Sequence, residues 1–286
     1  MTPSIRRRPL HLLLAAPAFV LALGAPHAQT SQAPAANAKP TTSAYEPKVG
    51  QPGKDVMWVP TAESLVDKML GMAEITPQDY LVDLGSGDGR TVITAAQRGT
   101  RAHGIEFNPD MVKLSRQNAK KAGVSDKATF TQGDIFQSDF SKATVVTLFL
   151  LPELNERLRP TLLDMKPGTR VVSNSFDMGN WTPDETIDGG PKCQTYCRAY
   201  KWIVPAKVQG TWELNNKATL NLTQTYQNLD GQMALDGKQY AISDATLQGK
   251  RIAFKANGRQ YTGTVEGNQI TGSDSRGTSW NATRKQ

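Results

Sequence analysis

Two hydrophobic periodicities divide the 286-residue chain. From residue 60 onward, short apolar runs that read as strands alternate with stretches whose apolar positions recur every three or four residues, the spacing of a helix face. Pro60-Thr61 opens the first helix, with Thr61 as the expected N-cap and Leu65, Met69 and Met72 on the apolar side. Residues 80–84 form an apolar strand that ends in a glycine-rich loop, and Val92, Ile93 and Ala96 mark the next helix. Residues 102–107 predict a second strand, and Pro109 starts a helix reaching Lys121. Residues 129–132, 144–148, 169–173 and 198–204 read as further strands, with a helix between Pro152 and Met165. Strands alternating with helices of this length imply a parallel sheet covered on both faces, whose ligands bind at the carboxyl ends of the strands.

After residue 206 the helical period disappears. Turns at Asp230-Gly231, Asp236-Gly237, Asn257-Gly258 and Glu266-Gly267-Asn268 separate short alternating runs. That spacing predicts a meander of antiparallel strands closing into a small barrel or curved sheet, with Trp212 and Trp280 inside.

The beginning of the chain follows neither pattern. Arg6-Arg7-Arg8 precedes an apolar run over residues 10–23 and then small residues, the order of a secretory signal peptide. The run is too short to span about 30 Å of hydrocarbon as a helix, so no stable membrane span is expected. Cleavage after Ala28 or near Ala38 fits, and the consecutive arginines also admit a twin-arginine route. The resulting organisation is a signal peptide over 1–28, a flexible Ala/Pro/Ser/Thr/Gln-rich linker over 29–54, an α/β domain over 55–206 and an all-β domain over 207–286. The expected location is periplasmic or secreted.

Charge changes this picture little. The net charge of +7 comes from the first 54 residues and from the tail, whereas residues 55–206 are slightly acidic. No nucleic-acid groove is expected from it. Two cysteines and three histidines, two of them in the leader, exclude a four-thiolate zinc site and a histidine-rich metal site, so no metal is expected. Only His103 is left as an imidazole base. Cys193 and Cys197, four apart, form either a small disulfide staple after export or two unpaired thiols.

The candidate chemistry lies in residues 83–89, Asp-Leu-Gly-Ser-Gly-Asp-Gly. Glycines two apart permit a tight turn and close backbone approach to a ligand, and the following helix points its amides at it. A diphosphate would be repelled by Asp83, whereas an ammonium or sulfonium group is matched by it. Glu106, about 20 residues on, is placed to accept ribose hydroxyls. Asp134, after the third strand, can accept from an adenine amino group while Ile135 or Phe136 covers the ring.

With these acids at the ends of successive strands, the sequence resembles the class I S-adenosylmethionine-dependent methyltransferases. Further stretches (58–61 Trp-Val-Pro-Thr, 147–152 Thr-Leu-Phe-Leu-Leu-Pro, 166–173 and 176–181) resemble the archaeal-type and mitochondrial ATP-synthase c-subunit protein-lysine methyltransferases. The resemblance covers residues 55–205 and implies a Rossmann-like seven-stranded sheet. It implies S-adenosyl-L-methionine as cofactor, with Pro60, Thr61, Asp83, Gly85, Ser86, Gly87, Glu106, Phe107, Asp134 and Ile135 binding it. Thr147, Phe149 and Leu151 would shape the acceptor channel, although such an apolar stretch also suits plain core packing. The expected reaction is methylation of an amine, with a protein lysine as the leading acceptor. Alternatives are a small molecule or lipid acceptor, or an inactive exported cofactor-binding module. The export leader and the 80-residue tail depart from the family pattern, and the oligomeric state stays open.

Overall fold

The computed structural model describes residues 45–215 and 217–285; the expected signal peptide and most of the expected linker lie outside them. The first layer is built from α1 (Glu63–Met72), β1 (Tyr80–Leu84), α2 (Arg90–Gln97), β2 (Arg101–Glu106), α3 (Pro109–Lys121), β3 (Ala128–Gln132), β4 (Val145–Leu148), α4 (Pro152–Leu163), β5 (Arg170–Asn174), β6 (Glu185–Asp188) and β7 (Arg198–Ile203). The strands form one sheet in the order β3-β2-β1-β4-β5-β7-β6, with β7 antiparallel to both neighbours and the pairs from β3 to β5 parallel. The order reverses between β1 and β4, which opens a crevice at their carboxyl ends.

Burial of both sheet faces explains the unbroken apolar runs of the central strands. Leu81, Val145 and Val172 join α1, α2 and α3 in one core, whereas Val82, Leu84, Val146, Leu148 and Val171 join α4 in another. Because side chains alternate along a strand, Asp83 and Thr147 share the face of Leu81 and Val145. They are direct partners in the β1–β4 register.

Local signals set most helix ends. At α3 the Asn108 side chain accepts from the Asp110 amide at 2.9 Å, Pro109 occupies the first position, and Lys120 and Lys121 close the last turn. At α1 the expected cap is displaced by one residue. Ala62 is the N-cap and makes no side-chain bond. The Thr61 hydroxyl instead accepts from Asn174 Nδ2 at 3.1 Å, a buried bond that competes with capping. Strand β6, at the sheet edge, escaped the periodic reading because its four residues are mostly exposed and polar.

The second sheet contains β8 (Gly210–Leu214), β9 (Thr219–Thr225), β10 (Asn228–Leu235), β11 (Lys238–Ala241), β12 (Ser243–Gln248), β13 (Arg251–Ala256), β14 (Arg259–Glu266), β15 (Gln269–Asp274) and β16 (Ser279–Arg284). It is antiparallel throughout, in the order β11-β10-β9-β8-β16-β15-β14-β13-β12. Its two edge strands, β11 and β12, are joined through the single residue Ile242, whose amide donates to Gly231 O at 3.0 Å, so the sheet nearly closes into a barrel. Its interior is filled by side chains. Trp212 and Trp280 are buried, as expected, and Phe254, Tyr261 and Trp280 pack with ring centroids 5.1–6.1 Å apart.

One expected turn is misplaced. Gly231 lies inside β10 opposite Leu222, where a Cβ would come within 2.0 Å of Asn221 O. The glycine serves close strand approach rather than a turn. The reversal falls at Tyr226-Gln227, between β9 and β10. This turn docks on the first sheet: Tyr226 stacks on Trp181 at 5.9 Å, and Trp181 Nε1 donates to Gln227 Oε1 at 3.0 Å. The Gln227 amide nitrogen donates onward to Thr182 O at 2.7 Å. Both sheets belong to one compact unit, Ala44–Gln286.

Candidate active site

The pocket at the carboxyl ends of β1, β2 and β4 brings together Asp83, Gly85, Ser86, Gly87, Glu106, Phe107, Asp134 and Ile135 with Pro60, Thr61, Phe149 and Leu151. Of the thirteen residues expected at the site, only Thr147 does not face this pocket. It is fully buried, and its hydroxyl donates to Asp83 Oδ1 at 2.6 Å. Thr147 is therefore a positioning residue behind the carboxylate and not a wall of the acceptor channel.

Asp83 is 7 % exposed and ends a buried strand, rather than projecting from a loop. Burial pushes its carboxyl up to about 7, with Glu106 and Asp88 adding to the rise and the Thr147 bond opposing it. A cationic group placed against it would restore the charged form.

The loop after Asp83 is held from two sides. Gly85 and Ser86 amides both reach Ile105 O, at 2.9 and 3.1 Å. Glu106 Oε2 accepts from the Gly87 amide at 2.9 Å and Oε1 from the Asn108 amide at 2.9 Å. Gly87 has φ +53°, and a Cβ there would lie 2.6 Å from Trp58 Nε1, so both conformation and space demand glycine. Arg90 forks onto Asp88, with its Nε 3.1 Å from Oδ1 and an amino nitrogen 2.6 Å from Oδ2, and its other amino nitrogen donates to Thr61 O at 2.9 Å. That arginine ties the glycine loop to the residues leading into α1.

Residues before α1 form a strap across the pocket. Pro52 and Met57 bridge antiparallel, and the Gly50 amide donates to Trp58 O at 2.9 Å. Lys54 Nζ contacts Asp134 Oδ2 at 2.7 Å and sits 5.2 Å from the Phe107 ring centroid. The Lys54 bond and the Phe136 amide hold the Asp134 carboxyl below its usual range. Residues 45–54, read by composition as linker, thus carry anchored contacts. Ile135 faces the pocket, whereas the Phe136 ring lies under the Arg157 guanidinium at 3.7 Å, so of the two only Ile135 is placed to cover a ligand.

His103 lies away from this pocket. Its ring nitrogens bond the hydroxyls of Thr129 and Thr131 at 2.8 and 2.9 Å, and burial pushes its pKa down. Among the described residues no cluster of His, Cys, Asp and Glu could hold a metal, and no helix is long and apolar enough to cross a membrane.

Sequence reasoning assigned no site role to Lys54, Met111, Phe176 or Tyr196, all of which line the pocket. Tyr196 had a signal: it lies between two cysteines, which are joined by a disulfide with Cα atoms 5.5 Å apart.

The lining fits S-adenosylmethionine. Three carboxylates, Asp83, Glu106 and Asp134, face a pocket whose lining also carries the Arg90–Asp88 and Lys54–Asp55 pairs, and whose apolar walls include Met111, Ile135 and Leu150. That donor set suits a ligand with an ammonium, a sulfonium, ribose hydroxyls and a flat base.

Comparison with known proteins agrees with this geometry. Residues 83–185 match the family described as the ANTKMT methyltransferase domain. A protein-lysine N-methyltransferase of Saccharolobus islandicus is 44% identical over 135 residues, which is 46% of this chain and 84% of that protein. The mouse lysine N-methyltransferase of the ATP-synthase c-subunit is 37% identical over 134 residues, which is 46% of this chain and 54% of that protein. A solved RNA methyltransferase from Salinibacter ruber, in complex with S-adenosyl-L-homocysteine, is 51% identical, covers 52% of this chain and 96% of its own, and has a TM-score of 0.49. The chain belongs to the family of S-adenosylmethionine-dependent methyltransferases that includes these protein-lysine N-methyltransferases.

Proposed function

We propose that the protein methylates the side-chain amine of a protein lysine and that it does so outside the cytoplasm. The observation that carries the acceptor reading is the composition of the pocket. Its cofactor half is acidic, and its other half, Phe149, Leu150, Leu151 and Phe176, is apolar and contains no histidine. A lysine arm that enters as an ammonium gives its proton to solvent before its lone pair attacks, so the transfer needs alignment and exclusion of water more than a histidine base. When bound, S-adenosylmethionine supplies a methyl group on a sulfonium, which an amine lone pair displaces while the sulfur keeps the bonding pair.

In this reading Asp83 pairs with the methionine ammonium, positioned by Thr147. Gly85, Ser86 and Gly87 give their backbone to the methionine part, and Glu106 takes the ribose hydroxyls. Asp134 accepts from the adenine amino group, with Ile135 and Phe107 on either side of the ring. Pro60 and Thr61, with Phe149 and Leu151, enclose the methyl group and the incoming amine.

The extracytoplasmic location is supported by the leader over residues 1–28 and by the Cys193–Cys197 disulfide, a bond that persists in oxidising compartments. Incubating the purified protein with methyl-labelled cofactor and a cell-envelope extract tests the reading. Label on lysine side chains, located by tandem mass spectrometry, is expected. Label confined to lipid or small-molecule fractions would replace the acceptor, and no transfer at all would leave a binding module.

A further inference from the structure

Three aromatic rings meet at the side of the pocket away from Asp134. Phe149 follows β4, Phe176 follows β5 and Tyr196 precedes the antiparallel β7, so adjoining strands bring all three to one end of the sheet. Their centroids are 5.3–6.1 Å apart, and all three line the pocket that contains Asp83.

The backbone that carries Phe176 is tied to β5 and α4. The Phe176 carbonyl accepts from Ser173 Oγ at 2.6 Å and from Asn155 Nδ2 at 3.2 Å. Tyr196 is fixed differently. It lies inside the ring closed by Cys193 and Cys197, with φ +57°, a conformation that a tyrosine adopts rarely. The loop is tied to α1, where Lys68 Nζ donates to Asp188 O at 2.7 Å, and Cys193 packs against the core. Tyr196 nevertheless keeps 42 % of its surface exposed. Part of the ring packs against Phe149 and Phe176, and the rest is left open over the pocket.

We infer that Tyr196 is a specificity-determining residue whose ring receives the alkylammonium arm of the acceptor, and that the disulfide is the device that positions it. The inference rests on the amine-methylating reading above. The aliphatic stem of such an arm is matched by ring faces, and an ammonium within about 6 Å of a ring centroid is attracted by its quadrupole, an attraction a neutral arm lacks. The interaction is therefore selective for charge as well as shape.

The test is binding to the protein loaded with S-adenosylhomocysteine, followed by NMR titration. The probes are the methylamides of Nα-acetyl-lysine, its trimethyl form and the neutral Nα-acetyl-norleucine. The parent is expected to bind the two cationic probes more tightly than norleucine. Tyr196→Ala, and separately Cys193→Ser with Cys197→Ser, should weaken the cationic probes by about 5- to 30-fold, the range of a desolvated cation–π contact. Tyr196→Phe should restore most of that loss, and S-adenosylhomocysteine affinity should not change in any variant. With a lysine acceptor, Tyr196→Ala should raise KM rather than lower kcat. Equal binding of norleucine and lysine probes, parent-like binding by Tyr196→Ala, or no probe binding by the parent would overturn the inference. Lysine methylation that proceeds with unchanged KM in Tyr196→Ala would remove the role of Tyr196 and leave the proposed function standing. A parent protein that binds the probes but methylates no lysine would remove the proposed function instead.

Discussion

Thr147 and Asp83 face each other across the β1–β4 register, and the threonine hydroxyl donates to the carboxylate at 2.6 Å with both side chains buried. The pair sits where the sheet order reverses, so the fold places one carboxylate, already oriented, at the floor of the pocket. A buried carboxylate is costly without a cation beside it. The stabilisation that a cationic ligand restores is available for binding.

That relationship has a consequence for stability. Asp83 is raised from 3.8 to about 7 by burial. The folded chain therefore keeps a proton that the unfolded chain has released between those values. Its contribution to stability is full below the unfolded pKa and is lost as pH rises toward about 7. Asp83→Asn keeps an acceptor for Thr147 and removes this loss. Without ligand, the variant should melt several degrees above the parent at about pH 8, and the gap should narrow at about pH 5. Thermal melts at both pH values check the sign, and a variant less stable than the parent at the higher pH contradicts it.

The Tyr226-Gln227 turn should matter to the first sheet although it belongs to the second. Gln227→Ala leaves Trp181 Nε1 without its partner and should cost about 1–3 kcal/mol. Tyr226→Ala removes the stacking on Trp181, about 0.5–1.5 kcal/mol beyond lost area. A chain ending at Ala206 retains the whole first sheet and should still bind S-adenosylhomocysteine, but with a lower urea midpoint. Urea denaturation read by tryptophan fluorescence measures all three, and parent-like midpoints would show that the docking is energetically idle.

The proposed export carries its own test. Arg7→Lys with Arg8→Lys preserves charge and hydrophobicity, so a route reading only those should tolerate it, whereas a twin-arginine route should not. We expect the double variant to accumulate inside the cell, folded and competent to bind cofactor. Unchanged periplasmic levels would rule out export in a folded, cofactor-loaded state.

Much of this arrangement was legible from residues whose local signal and tertiary role coincide. The parallel strands are apolar because both their faces are covered, and Asp83, Glu106 and Asp134 stand out as acids at the ends of such strands. Signals failed where a residue serves a distant partner. Thr61 reads as a helix cap but is bonded to Asn174, and Thr147 reads as channel lining but serves Asp83. Gly231 reads as a turn because a glycine needed for close strand approach looks the same in sequence as one needed for reversal. Lys54 lies 80 residues from Asp134, and no spacing rule connects them. Tyr196 acquires its position from a disulfide, which the cysteine spacing allowed but did not require.

The central claim, that the acidic pocket around the 83–89 loop binds S-adenosylmethionine, is tested most directly by calorimetric titration of S-adenosylhomocysteine into the parent, Asp83→Asn and Glu106→Ala. The parent should give saturable heat with one site per chain. Glu106→Ala should bind more weakly by about 1–3 kcal/mol, roughly 5- to 150-fold, because it loses charged hydrogen bonds to the ligand and the acceptor that holds the Gly87 amide. Asp83→Asn should lose at least as much while remaining folded. No saturable heat from the parent, or parent-like binding by both variants, would contradict the account.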